Sequence, residues 1–226
     1  MVNTIKYIIE LLLVIIVFMS CTENAALKKD VYNVNIENSE WINFSELERD
    51  FSMIDNNAIS YSFGLSDRYH EYDKSWTSVV GINTHMSYRE EYYESYTSTY
   101  GLNYSLNLSA SFEPNGDCLD CRLGEVRFKY DLDKNILCNV DYDNEYKSLQ
   151  STSDGYIIQN DSIYSIAEFI DSVMVNQVTY YNVLHFTLHD FAEEWKDFTI
   201  NEIYLAKQTG LIQYTYTNGI SVCRIN

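Results

Sequence analysis

Proline is nearly absent: Pro114 stands alone in 226 residues, with only eight glycines. A Pro/Gly-rich disordered chain and a collagen-like repeat are therefore excluded. Positive charge is also scarce. There are 15 Lys and Arg against 33 Asp and Glu, a formal net charge of −18. Such a surface repels nucleic acid phosphates, which argues against DNA or RNA as a partner. It repels anionic lipid head groups too, so attachment to a membrane would need an anchor rather than charge. Long apolar runs are missing. The longest, Leu11–Met19, has nine residues, where a bilayer span takes about 20. No G-x-S-x-G, P-loop or dinucleotide fingerprint occurs, and no fixed-period repeat is visible.

What is there is apolar and aromatic. Hydrophobic residues make up 46% and aromatics 15%, with 21 Tyr against 3 Trp and 10 Phe. That composition can fill a core. Tyrosine, with an apolar ring and a polar tip, fits half-buried pleated surfaces.

The N-terminus has the three parts of an export signal: Lys6, the apolar Leu11–Met19, and Phe18-Met19-Ser20-Cys21. The last four residues resemble the bacterial lipobox, with Ser20 and Cys21 on its small and cysteine positions and Phe18 where leucine is usual. The resemblance implies that residues 1–20 are a signal peptide cut by signal peptidase II. It also implies that the Cys21 thiol carries diacylglycerol and that several acyl chains hold the protein in the membrane. Thr22 stands where aspartate would retain a lipoprotein in the inner membrane. The expected address is the cell envelope, at the outer membrane of a Gram-negative bacterium.

Residues 21–40 then read as a lipidated N-terminus and polar tether, with an early strand near 31–36. Residues 41–226 read as one β-rich domain. Ser45 and Glu48 form a capping box that predicts a helix to about Ile54. Residues 58–82 show short apolar runs broken at Gly64 and Gly81. Leu102, Tyr104, Leu106, Leu108 and Ala110 alternate with polar residues, which predicts a half-buried strand beside the Tyr-rich run 86–98. Hairpins follow around Asp131–Asn135 and Asn176-Gln177. The chain ends in a meander with turns at Gly210 and Asn218-Gly219, after a helical turn at 190–197. The fold class is mainly β: an antiparallel sandwich, barrel or curved half-barrel with one or two short helices.

Two late stretches, V-N-Q-V-T-Y-Y-N-V at 175–183 and I-Y-L-A-K-Q-T-G-L-I-Q-Y at 203–214, resemble the C-terminal half of uncharacterised Bacteroidota lipoproteins. Gln177 replaces the glycine of their hairpin. The resemblance implies β structure, a lipid anchor and an envelope address, but no activity.

With Cys21 assigned to lipid, four cysteines remain: Cys118, Cys121, Cys138 and Cys223. An even number in an exported chain favours disulfides, with Cys138–Cys223 as one expected bridge. A redox C-x-x-C at 118–121 lacks its βαβ context, and a zinc site lacks a second close-spaced pair. His185 and His189 share one strand face. A solvent-facing pair is the ordinary reading and a metal pair the alternative, because Phe186 occupies the glutamate position of a metalloprotease motif. Asp131-Leu-Asp133-Lys-Asn135 opens like an EF-hand, but Ile136 and Tyr142 occupy its glycine and glutamate positions, so an acidic turn is expected. Glu90, Glu91 and Glu94 read as a solvated strand edge, or as a contact surface for a glycan or protein. Asp161-Ser162-Ile163 and Asp171-Ser172-Val173 resemble Bacteroidota O-glycosylation sites at Ser162 and Ser172.

No cofactor is implied. The expected function is a lipid-anchored, non-enzymatic binding or structural protein of the envelope, with an envelope protein or glycan as partner. The alternatives are a carrier of a hydrophobic ligand in a half-barrel, which needs an apolar cavity, and a glycan-active enzyme, which needs two facing carboxylates.

Overall fold

Period-two alternation becomes strand along nearly the whole chain. The structure, a computed structural model, describes residues 29–42, 50–79, 82–110, 116–142, 149–150, 157–159, 162–188 and 200–225. The elements in order are β1 (Lys29–Tyr32), α1 (Ile36–Ser39), β2 (Phe51–Asp55), β3 (Ser60–Val79), β4 (Ile82–Ser98), β5 (Asn103–Ser109) and β6 (Cys118–Leu123). Then come β7 (Val126–Asp131), β8 (Ile136–Tyr142), β9 (Leu149–Gln150), β10 (Ile157–Gln159), β11 (Ser162–Val175) and β12 (Val178–Leu188). The last three are β13 (Ile200–Ala206), β14 (Gly210–Tyr216) and β15 (Ser221–Ile225). The fold is mainly antiparallel β with one short helix.

The sheet order is β10-β11-β12-β13-β14-β15-β2-β3-β4-β5-β6-β7-β8-β9, with β1 on β4. Contacts divide the described residues into two units: 29–31 with 73–88, and 32–72 with 89–225. The smaller holds the distal parts of β3 and β4, with β1 paired to β4. In the larger, the sheet curls until β8 and β9 approach β10 and β11, a nearly closed barrel. Near-closure leaves little free edge for another chain to pair with.

The barrel interior is filled. Tyr104, Leu106 and Leu108 alternate inward along β5, and Leu119, Cys121 and Leu123 along β6. Phe128 of β7 stacks on Phe186 of β12 at 4.7 Å, and Tyr130 meets the same ring edge-on at 6.0 Å. These strands flank the seam where β8 approaches β11, so the two ends of the curled sheet pack on each other. Asn182 of β12 has φ 53°, while the pairing with β11 keeps its register on either side of it. Before it Val178 and Tyr180 join a second apolar cluster with Ala206 and Ile212; after it Leu184 and Phe186 point into the main core. The left-handed residue, without an insertion, turns the strand from one face to the other.

The hairpins at 131–135 and 176–177 and the final meander stand where the pattern places them. Three expectations change. The expected helix to Ile54 gives way to β2, whose Met53 and Asp55 face inward while the strand pairs with β15 and β3. Ser45 and Glu48 lie outside the described residues, as does 190–197. The early strand ends at Tyr32, because Asn35 caps a helical turn by accepting the Glu37 amide at 3.1 Å. Gly64 does not break β3, which runs through it for 20 residues.

Candidate functional site

Two arrangements gather chemistry in the larger unit. The first is on β3 and β4, facing inward. β4 lies between β3 and β5 and is not a sheet edge, which corrects the solvated-edge reading of its glutamates. Alternation places Glu90, Tyr92, Glu94 and Tyr96 on the inner face; Glu90 and Glu94 are buried. Glu91 turns outward and accepts from the Asn107 amide, with Arg89 4.0 Å away.

Glu90 accepts three hydrogen bonds: Tyr92 Oη at 2.7 Å, His70 Nε2 at 2.8 Å and the Val34 amide at 2.9 Å. The His70 ring lies flat on Tyr92 at 4.1 Å. Burial raises the Glu90 pKa, but the bonds from Tyr92 and His70 outweigh it and leave the net shift downward. Glu94 differs. Burial dominates and its pKa is raised, although Arg68 at 3.3 Å and Tyr96 Oη at 3.2 Å oppose this. Burial and the Glu94 charge together push Tyr96 up to about 12. Beside them the Tyr104 hydroxyl is fully buried and has no hydrogen-bond partner among the described residues. The Glu94 end of the site is closed by the core, whereas His70 beside Glu90 is open to solvent.

The second arrangement is open to solvent: a groove of about 1160 Å³. Its floor comes from outward positions of β2, β3 and β4, where alternation sends Ser52, Ser60, Ser62, Thr97 and Thr99 away from the core. Backbone pairing fixes their spacing: the Thr99 amide donates to the Ser62 carbonyl at 2.9 Å. At one side stand Asp50, Thr209, Tyr180 and Arg224. Asp50 accepts from the Leu65 amide at 3.1 Å. The Arg224 guanidinium lies 4.5 Å over the Phe51 ring and donates to the Thr209 carbonyl at 2.8 Å. Phe51 in turn stacks on Phe63 at 4.8 Å. The groove therefore offers hydroxyl donors and acceptors, a fixed cation and ring edges. Among the described residues its lining holds one carboxylate, Asp50, and no histidine or cysteine.

The other candidate residues are placed as follows. The four described cysteines are free thiols, which corrects the disulfide expectation. Cys118 and Cys121 are three apart on β6, and a strand sends residues three apart to opposite faces. Cys121 is fully buried in the core. Cys138 lies on β8 and Cys223 on β15, strands far apart in the sheet order. Burial, then Asp120, pushes the Cys118 thiol up to about 11. Burial, then Asp131, also raises Cys138.

His185 packs on Tyr204 at 4.0 Å, and its Nδ1 meets Glu168 Oε1 at 2.9 Å. Its partner in the expected pair, His189, lies outside the described residues. Among the described residues no three His, Cys, Asp or Glu are grouped to hold a metal. The Asp131–Asn135 segment is a hairpin turn, where Asp131 Oδ1 accepts the Asp133 and Lys134 amides at 3.1 and 2.9 Å. Ser172 is exposed, opposite Tyr181. Ser162 opens β11, and Cys21 lies outside the described residues.

Sequence reasoning did not find the groove. Its residues come from six separated stretches, and single serines carry no periodic signal. Comparison with protein-family models, with curated proteins and with solved structures returned no match.

Proposed function

We propose that this chain is a lipid-anchored protein of the cell envelope, held through Cys21 at the outer membrane. Its β domain binds a polar, hydroxyl-rich ligand, such as an envelope glycan, without catalysis. The groove is the observation that carries the reading. Its size exceeds that of a single small-molecule pocket, roughly 300–1,000 Å³, and accommodates a chain of sugars. Ser52, Ser60, Ser62, Thr97 and Thr99 supply matching hydroxyls, and Arg224 supplies a fixed donor.

The other readings find less support. Hydrolysis of a glycan needs paired carboxylates about 5–10 Å apart, whereas among the described residues the lining holds one carboxylate, Asp50. A carrier needs an apolar cavity, whereas Phe128, Tyr130 and Phe186 occupy the barrel interior.

The test uses the full-length protein in detergent against a panel of envelope polysaccharides. Ser62 is exposed on the groove floor, so Ser62→Trp fills the groove without disturbing the core. Retention of at least one polysaccharide by the wild type, and an affinity at least about tenfold lower for Ser62→Trp, are expected. No retained polysaccharide, or equal binding by both proteins, overturns the glycan reading. The anchor is checked separately: palmitate labels the wild type and not Cys21→Ala, and equal labelling refutes it.

A further inference from the structure

Residues 33–42 lie between β1 and β2 without joining the sheet, and both halves of the segment are gripped. At its start the Tyr72 hydroxyl donates to Asn33 Oδ1 at 2.9 Å. The Val34 amide donates to Glu90 at 2.9 Å and the Asn35 amide to Asp117 at 2.7 Å. The Asn38 amide nitrogen reaches Asp117 and Asp133, each at 2.9 Å. At its end Trp41 and Ile42 are both 3% exposed, and Trp41 meets the Phe169 ring edge-on at 6.4 Å. There the Glu40 carbonyl accepts the Gln208 amide at 2.7 Å, and Lys207 Nζ lies 3.1 Å from the Glu40 carboxylate.

Gln208 belongs to the turn between β13 and β14. The turn is conformationally demanding, since Gln208 has φ 65° and Gly210 φ 77°. A glutamine in the left-handed region is strained and persists where the surroundings hold it. The next residue, Thr209, lines the groove, and its carbonyl holds Arg224 at 2.8 Å. Leu211 contributes a second carbonyl to Arg224 at 3.4 Å.

We propose that residues 33–42 are a strap that couples the N-terminal segment to the groove. By gripping the turn at Glu40, the strap keeps the Thr209 carbonyl, and with it Arg224, in the groove wall. In sequence the strap follows β1 directly, so it is the link between β1 and the rest of the larger unit. Loss of the Glu40 grip lets the Lys207–Gly210 turn relax, and Arg224 loses one fixed acceptor. Linkage is reciprocal: a ligand that fixes Arg224 also steadies the turn and tightens the strap. Its ligand-binding consequence rests on the groove reading above, but the contact itself does not.

The test is amide hydrogen exchange on the full-length protein in detergent. Glu40→Lys places a cation against Lys207 from the strap side, at an exposed position that leaves the core intact. Glu37→Lys changes the charge equally at an exposed strap position. Exchange across 206–212 rises at least about threefold in Glu40→Lys, and matches the wild type in Glu37→Lys. Any polysaccharide retained by the wild type then binds more weakly to Glu40→Lys alone. Equal exchange across 206–212 in Glu40→Lys and wild type overturns the strap. So does a rise of the same size in Glu37→Lys. Absence of polysaccharide binding in the wild type sinks the groove reading alone, because the exchange comparison needs no ligand.

Discussion

Glu90 and Glu94 share one face of one strand and titrate in opposite directions. Three donors converge on Glu90 and hold its pKa down despite burial. Burial wins at Glu94 in spite of Arg68. The consequences for stability have opposite signs. A depressed carboxylate stabilises the fold above its unfolded pKa and loses that contribution as pH falls through the folded value. A raised carboxylate favours the fold while protonated and loses that contribution as pH rises through the folded value. Chemical denaturation across the carboxylate range is the check. The destabilisation caused by Glu90→Gln grows as pH rises. The difference between Glu94→Gln and wild type moves in favour of glutamine as pH rises above that range. Parallel slopes for the two variants would contradict these assignments. Little of this is legible from Glu90-Glu91-Tyr92-Tyr93-Glu94 alone, because the donors His70 and Arg68 and the Val34 amide arrive from other parts of the chain.

The thiols belong to the same scale. An exported chain with an even set of cysteines invites bridges, yet face and strand order keep the four apart. Denatured without reductant, the protein exposes Cys118, Cys121, Cys138 and Cys223 to full alkylation, read by mass spectrometry. In the native state Cys121 is unreactive because it is fully buried. Cys118 reacts slowly at neutral pH, since a thiol pushed up to about 11 presents little thiolate. Peptides joined by a disulfide in the unreduced sample would refute this.

Among the elements, the turns were the most readable parts of the sequence, and their conformations the least. Asn176 and Gln177 both have positive φ, 47° and 68°, as a two-residue hairpin with right-handed strand twist requires. Gln177 thus occupies a position that suits glycine. Ala58 is similar, with φ 65° in the β2–β3 turn, where its amide donates to the Asp55 carbonyl at 3.0 Å. Ala58→Gly removes the Cβ strain and stabilises by up to about 1 kcal/mol. Gln177→Val places a β-branched residue in the left-handed region and destabilises by about 1–2 kcal/mol. Thermal unfolding gives both signs; a stabilising valine would be inconsistent with the turn. At Asn218-Gly219 only Gly219 has positive φ, 84°. The Gly219 amide donates to the Tyr216 carbonyl at 2.9 Å, and the Tyr216 amide to the Ile220 carbonyl at 2.8 Å. The loop therefore has three residues and ends on a left-handed glycine, rather than being the two-residue turn that Asn-Gly signals.

At the scale of the larger unit, alternation along β5, β6 and β7 and the terminal meander was legible because each strand shows period two by itself. Strand order was not. β15 closes onto β2, with Val222 opposite Asp55 and Arg224 opposite Met53, a pairing across most of the chain. That closure puts Arg224 over Phe51 and builds one side of the groove. β2 itself was read as the end of a helix, since five residues show too little period to overrule a capping box. The pairing with β15 and β3 decides its conformation, as tertiary context overrides local propensity.

By itself the sequence determined the β class, the main hairpins, the strong acidity and the lipobox-like Cys21 motif. Each depends on composition or on residues close in the chain. The tertiary structure alone decided that Glu90 and Glu94 face inward, that the described cysteines stay unpaired, and that six separated stretches form one groove. These outcomes depend on which strands become neighbours. Neighbours are chosen by how the whole sheet buries its apolar face, a property that no single strand's pattern contains.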